Sequence, residues 1–255
     1  MLLALDAGNS NITIGAFEEN KLIGRWRLRT IHEQTADEWG VLMRNLFELA
    51  SLDLERVDGI IIASVVPTLD APLAAMSQRY FHATPLFVTP ETDTGLKVLY
   101  DNPREVGADR VVNGVAAFHR YGGPSIVVDL GTTINFDIVS ANAEYLGGMI
   151  CPGIGMSITG LFAKTARLPM VDLREPSGLI GKNTVGSIQS GLYYGFAGLI
   201  DGIVARVVAE VGSANVIATG GHAQLIARAA RSVQHINEDL TLEGLEIIWR
   251  RNRTK

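Results

Sequence analysis

A single cysteine, Cys151, stands among 255 residues, so no disulfide can close within the chain, and the stapled frameworks of small secreted domains are excluded. Familiar signatures are missing too. There is no GxGxxG, no GxxxxGK[ST] and no HExxH; IGKNT at 180–184 lacks the first glycine of a P-loop, and Gly153-Ile154-Gly155-Met156-Ser157 has the wrong spacing for a nucleophile elbow. The histidines at 32, 82, 119, 222 and 235 show no ligand spacing, which argues against zinc. Basic charge is not in excess: the formal net charge is −5, which argues against non-specific nucleic-acid binding. Met1-Leu2-Leu3-Ala4-Leu5 runs straight into Asp6, without the basic head or long apolar run of a signal peptide. The most apolar later segment, GLYYGFAGLIDGIVARVV, is broken by Asp201 and Arg206 and reads as a buried helix, not a membrane span. A cytoplasmic protein with no membrane or nucleic-acid partner is the expectation.

What is present is an ordinary globular composition, 47% hydrophobic and 19% charged, in a chain long enough for one large domain or two modest ones. Residues 2–6, 11–17 and 21–28 alternate like strands, with Glu19-Asn20 as a hairpin turn. Residues 35–51 predict a helix capped by Thr35, with Trp39, Leu42, Leu46 and Leu49 on its apolar face. VDGIIIASVVP predicts a buried strand ending before Pro67. Helices are expected over 183–212, from Ala223 to Arg231 and over about 241–251, with VIATGG (216–221) as a strand entering a glycine turn.

The middle of the chain repeats its beginning. In SIVVDLGTTINFDIV, Asp129 falls on Asp6, Gly131 on Gly8, Thr132 on Asn9 and Thr133 on Ser10, an offset of 123 residues. Each copy is a strand, an acid, a glycine turn with small polar residues, and two further strands. Two such units with helices between them predict two related α/β lobes, 1–120 and 121–255.

Turns of this kind can be tight hairpins, or they can hold phosphate oxygens on converging backbone N–H groups. Two copies, each led by an acid, favour phosphate, and Asp6 then gains a purpose in holding Mg²⁺ directly or through water. In YDNPREVGADRVVNGVAAF (100–118), Pro103 closes a loop, and Asp109 and Arg110 lie at a helix start. Asp109 is either a helix cap beside a solvated Arg110, or the acceptor of a substrate hydroxyl proton with Arg110 steadying an anion. The helix N-terminus is expected to lower the Asp109 pKa.

Taken with ASVVP (63–67), YLGGMICPGIGMS (145–157), TARLP (165–169), IGKNTVGSIQSG (180–191), ATGG (218–221) and LTLEGL (240–245), these stretches resemble the type III pantothenate kinases, in order along nearly the whole chain. The resemblance implies the actin-like ATPase fold, with two ribonuclease H-like lobes, mixed sheets and an ATP cleft between the lobes. It implies phosphorylation of pantothenate by ATP, the first step towards coenzyme A, in a homodimer. Asp6, Ala7, Gly8, Asn9, Ser10, Asn11, Ile12 and Thr13 would bind ATP phosphates and Mg²⁺, and Thr132 would bind ATP. Asp109 would be the general base. Tyr100, Gly107, Ala108, Asp109 and Arg110 would contact pantothenate, with Thr184 reaching it across the dimer interface. Asp129 would bind K⁺ or NH₄⁺. Thr133 and Asn135 depart from the family pattern, which more often has Ala and Thr there. The alternatives are a kinase or phosphohydrolase of the same superfamily with another substrate, or a regulator that kept the fold; a regulator need not retain Asp6, Asp109 and Asp129 together.

Overall fold

A computed structural model describes residues 1–165 and 167–253; Ala166, within the TARLP stretch, and the last two residues lie outside the described residues. In chain order the first elements are β1 (Leu2–Ala7), β2 (Asn11–Glu18), β3 (Lys21–Arg29), α1 (Ala36–Leu49), β4 (Gly59–Ser64), α2 (Pro67–Phe81), β5 (Leu86–Phe87), β6 (Lys97–Val98) and α3 (Ala108–Tyr121). Next come β7 (Ser125–Leu130), β8 (Thr133–Val139), β9 (Glu144–Pro152), α4 (Ile154–Ala163), α5 (Thr184–Val211), β10 (Asn215–Thr219), α6 (Ala223–Ile226), β11 (His235–Ile236) and α7 (Leu240–Arg253). The chain forms two compact units: Met1–Leu96, Tyr100–Ala116 and Thr241–Lys255 in one, Lys97–Leu99 and Ala117–Leu240 in the other. Against the expected limits of 1–120 and 121–255, the final helix belongs with the first unit, and Lys97–Leu99 with the second.

In the first unit, the opening meander forms as the alternation predicts. Glu19 and Asn20 both adopt positive φ (47° and 65°), the twist a two-residue hairpin requires. The sheet runs β3-β2-β1-β4-β5, with β4 parallel to β1. One face buries Leu3, Leu5, Ile12 and Ile14 against α1 and α2. Thr35 and Glu38 exchange hydrogen bonds as a capping box at the start of α1. The buried stripe of that helix is Trp39, Met43 and Phe47; Leu42 and Leu46 are only partly buried, and Leu49 is 84% exposed. The expected face is therefore rotated, because the larger Phe47 and Met43 take the core positions. The opposite sheet face buries Leu2, Ala4, Ile61 and Ala63 against Val112 and Val115 of α3 and Leu242, Leu245 and Ile248 of α7.

The second unit repeats the plan. Its sheet runs β11-β10-β7-β8-β9-β6, so β9-β8-β7-β10-β11 reproduces the order β3-β2-β1-β4-β5, again with an antiparallel meander followed by parallel pairing. Ile126, Val128, Ile134 and Phe136 pack against Tyr193, Phe196, Ile200 and Val204 of α5. The helix expected from Ala223 to Arg231 is shorter, ending at Ile226 and passing into turns. The expectation of a buried helix at α5 holds for one face only. By length and composition α5 could cross a membrane, yet only 28% of its most apolar stretch is buried. The outward side carries Gly191, Gly195 and Gly198, where an added Cβ would meet nothing within 4 Å.

Gly244 brings α7 close to α3: a Cβ there would run into the Val112 carbonyl and stand 2.7 Å from Val112 Cγ1. Alanine improves helix propensity by about 1 kcal/mol, so a net loss in Gly244→Ala isolates the crowding. We expect a loss of about 1–3 kcal/mol in chemical denaturation; a variant as stable as its parent would contradict this packing.

Candidate active site

In the first unit the site grows from the end of β1. Four buried residues, Leu2 to Leu5, precede Asp6, which is partly exposed. Asp6 lies opposite Ala63 of β4 and Thr13 of β2, and Thr13 lies opposite Arg27 of β3, so Asp6, Thr13 and Arg27 form one row across the sheet. After Asp6, buried Ala7 and Ile12 anchor a turn whose tip, Asn9 and Ser10, is exposed. The Gly8 N–H donates to the Asn11 carbonyl at 3.1 Å. Thr30, just past β3, clamps this turn: its hydroxyl donates to the Gly8 carbonyl at 2.6 Å, and its N–H to the Ser10 carbonyl at 3.1 Å. Ala7 and Ile12 can thus offer a ligand only backbone, whereas Asn9, Ser10 and Thr13 also offer side chains.

The Val65 N–H extends the β1–β4 pairing by donating to the Ala7 carbonyl at 3.0 Å. Val65 also carries α3 to the site, since a Cβ on Gly107 would stand 3.4 Å from Val65 Cγ1 and 2.5 Å from Asp109 Oδ1. Asp109 Oδ1 accepts the Arg110 N–H at 2.8 Å. Burial pushes the Asp109 carboxyl above its ordinary range, outweighing the hydrogen bond and charge of Arg110 that favour the carboxylate. The expected lowering is thereby overturned: desolvation exceeds the helix-end effect. Arg110 is also not solvated, being only 7% exposed. Upstream, Asn102 caps the short turn Pro103–Glu105, and Tyr100 is partly buried at the start of that loop.

In the second unit, Asp129 ends β7 in a row with Thr219 of β10 and Asn135 of β8. The Gly131 N–H donates to the Thr133 carbonyl at 3.0 Å, so this turn closes one residue sooner than its counterpart. Thr133 therefore matches Asn11, not Ser10, and Thr132 alone forms the exposed tip. Thr133 donates its hydroxyl to Asn135 Oδ1 at 3.0 Å, so the two departures from the family pattern pair with each other. Gly153, which caps α4, is pressed on this turn, where a Cβ would strike the Thr132 carbonyl. Gly220 has φ of 90° and crowds Asp129, whose Oδ1 a Cβ would strike. Thr184 is the exposed first residue of α5, just after the cap Asn183.

Among the described residues no three His, Cys, Asp or Glu side chains cluster as a metal cage. Mg²⁺ on a nucleotide needs none, because it binds through one or two carboxylates, waters and phosphate oxygens; Asp6 beside Thr13 suits that role. The oxygens of Asp129, Thr219 and Asn135 are hard donors suited to a large monovalent cation, and Gly220 leaves them the room. Thr30, Val65, Gly153 and Gly220 were not among the expected site residues; ATGG and CPGIG carried a glycine signal for the last two, while Thr30 and Val65 carried none.

Two units of matching strand order, each with an aspartate leading its first strand into a glycine turn, define the actin-like ATPase and sugar-kinase class of fold. Solved structures agree. An activator of 2-hydroxyisocaproyl-CoA dehydratase from Clostridium difficile matches with a TM-score of 0.57 at 9% identity, covering 100% of this chain and 97% of that one. A conserved Campylobacter jejuni protein assigned to the Baf family of transcriptional activators matches with a TM-score of 0.62 at 18% identity, covering 99% and 100%. The sequence is more specific: the type III pantothenate kinase family model matches residues 2–206. A type III pantothenate kinase of Solibacter usitatus (strain Ellin6076) is 64% identical over 253 residues, 99% of this chain and 97% of that protein. The chain belongs to the type III pantothenate kinase family.

A raised pKa means that the folded state holds the Asp109 proton more tightly than the unfolded chain does, so stability contributed by Asp109 falls as pH rises from the ordinary carboxylate range through the folded value. Asp109→Asn, which cannot ionise, should gain in melting temperature relative to its parent as pH rises through that window and lose the advantage below it. A difference independent of pH would contradict the buried-carboxyl reading.

Proposed function

We propose that this chain transfers the γ-phosphoryl group of ATP to the primary hydroxyl of pantothenate, giving 4′-phosphopantothenate, the first step of coenzyme A biosynthesis. The observation that carries this reading is Val65: its N–H donates to the Ala7 carbonyl at the head of the glycine turn, and its Cγ1 lies 3.4 Å from where a Cβ on Gly107 would stand, so turn and acid lie close on one scaffold. Asp109 accepts the hydroxyl proton at its carboxylate, and its raised pKa makes it a better acceptor than an exposed aspartate. Tyr100 and Gly107 to Arg110 orient pantothenate, the buried Arg110 supplying fixed positive charge for its carboxylate. The turn from Asp6 to Thr13 holds the ATP phosphates, Asp6 with Mg²⁺, and Thr132 also binds ATP. Bound Mg²⁺ supplies neutralisation of the phosphate charge. Asp129 holds K⁺ or NH₄⁺.

The enzyme acts as a homodimer in the cytoplasm. The open, small-residue side of α5 admits close approach of a second copy, and Thr184, exposed at the start of that helix, reaches pantothenate in the partner. Retention of Asp6, Asp109 and Asp129 together favours a kinase over a regulator with the same fold.

The test is phosphoryl transfer from MgATP to pantothenate against glycerol, acetate and a sugar, repeated in K⁺, NH₄⁺ and Na⁺ salts. Pantothenate alone should be phosphorylated, only with K⁺ or NH₄⁺, and Asp109→Asn should lower kcat by about 100-fold or more. Comparable rates with other acceptors overturn the substrate; near-normal turnover in the variant removes Asp109 as base; equal rates in all three salts count against the Asp129 site.

A further inference from the structure

Most arginines of the first unit meet a carboxylate: Arg56 pairs with Glu18, Arg79 with Asp37, Arg251 with Asp93 and Arg253 with Asp58. Arg27 and Arg29 do not. Both are exposed on β3, and neither side chain makes a hydrogen bond or ion pair among the described residues. Two neighbouring cations without a counter-charge repel each other, and an anion placed between them relieves that repulsion.

Their place in the sheet says which anion. Strand alternation puts Arg27 and Arg29 on the face that Asp6 and Thr13 share, since the alternate residues Trp26 and Leu28 pack against the core on the other side. Arg29 lies opposite Asn11, the residue that closes the turn, and Arg27 lies opposite Thr13, next to Asp6. Arg27 stands two strands from Asp6, roughly 10 Å, a span that a long arginine side chain and a metal-bound phosphate chain bridge together. Thr30 directly follows Arg29 and is fastened to Gly8 and Ser10, so the end of β3 cannot drift from the turn.

From this row we infer that Arg27, assisted by Arg29, binds the phosphate chain of the nucleotide and extends the Gly8–Asn11 turn by one strand. Asp6 with its metal and Thr13 lie on one side of the anion, and the guanidinium of Arg27 closes the other, where its fork can take two phosphate oxygens at once. The inference rests on the kinase reading above, because it takes the turn to be a nucleotide site. The competing explanation is an edge strand protected by charge against pairing with other chains, which would require positive charge but no particular ligand.

The test is MgATP binding by titration calorimetry to the full chain and to Arg27→Gln, Arg27→Lys and Arg29→Gln, with melting temperatures and the KM for pantothenate measured alongside. Arg27→Gln should weaken MgATP by about tenfold or more, Arg29→Gln by less, and Arg27→Lys should recover part of the loss. Melting temperature and the KM for pantothenate should stay at the parent values. Unchanged MgATP affinity in Arg27→Gln overturns the inference, as does an equal loss in the lysine and glutamine variants or a loss explained by a lower melting temperature. If the parent phosphorylates another acceptor while Arg27→Gln still loses MgATP, the substrate reading fails and this one stands; if the parent binds no MgATP, both fail.

Discussion

An acid that ends a buried strand is the constraint on which the rest depends. Asp6 and Asp129 each follow a run of buried aliphatic residues, and a carboxylate in that position loses water on the side that faces the sheet. The chain answers by stopping the strand there, turning on glycine, and setting Thr13 beside Asp6 and Asn135 and Thr219 beside Asp129 on the neighbouring strands. Asp109 obeys the same constraint from a helix: burial raises its pKa, and the Arg110 N–H only partly restores the charged form. Carboxylates kept in such places are costly to desolvate, and acids perturbed in this way cluster at functional sites.

Two copies of one sheet supply this environment twice, and their differences are informative. The first turn has an extra residue and is clamped by Thr30; the second is shorter and braced by Gly153 and Gly220. The longer turn has more backbone donors to offer phosphate, whereas the shorter one presents a row of oxygen ligands, Thr219, Asp129 and Asn135. The two units thus differ in what they can offer, more backbone donors in the first turn and a row of side-chain oxygens in the second unit.

Much of this was legible in the amino-acid order. The strands of both meanders, the Thr35 cap and the start of α3 all follow from local rules, because period-two alternation and capping residues act within a few positions. The register of α1 did not, since Leu42, Leu46 and Leu49 match helical spacing as well as Met43 and Phe47 do, and only packing against α2 and the sheet chooses between them. Residues 67–81 carried no predicted element: Pro67 and Pro72 look like breakers, although Pro67 at the first helical position gives up a donor that has no partner there. The acids of the site were visible as motifs. Thr30 and Val65 were not, because each acts through contacts with residues 20 or more positions away, and the pKa of Asp109 required knowing how deeply its carboxyl is buried.

If Asp6 holds the nucleotide through Mg²⁺, as proposed above, its carboxylate repels the same nucleotide when the metal is removed. The most direct measurement is calorimetric titration of the parent protein with ADP, once with Mg²⁺ and once with the metal chelated. Removing Mg²⁺ should weaken ADP binding by about tenfold or more, as expected when a carboxylate faces a bare polyanion. Equal or tighter binding of the metal-free nucleotide would contradict it.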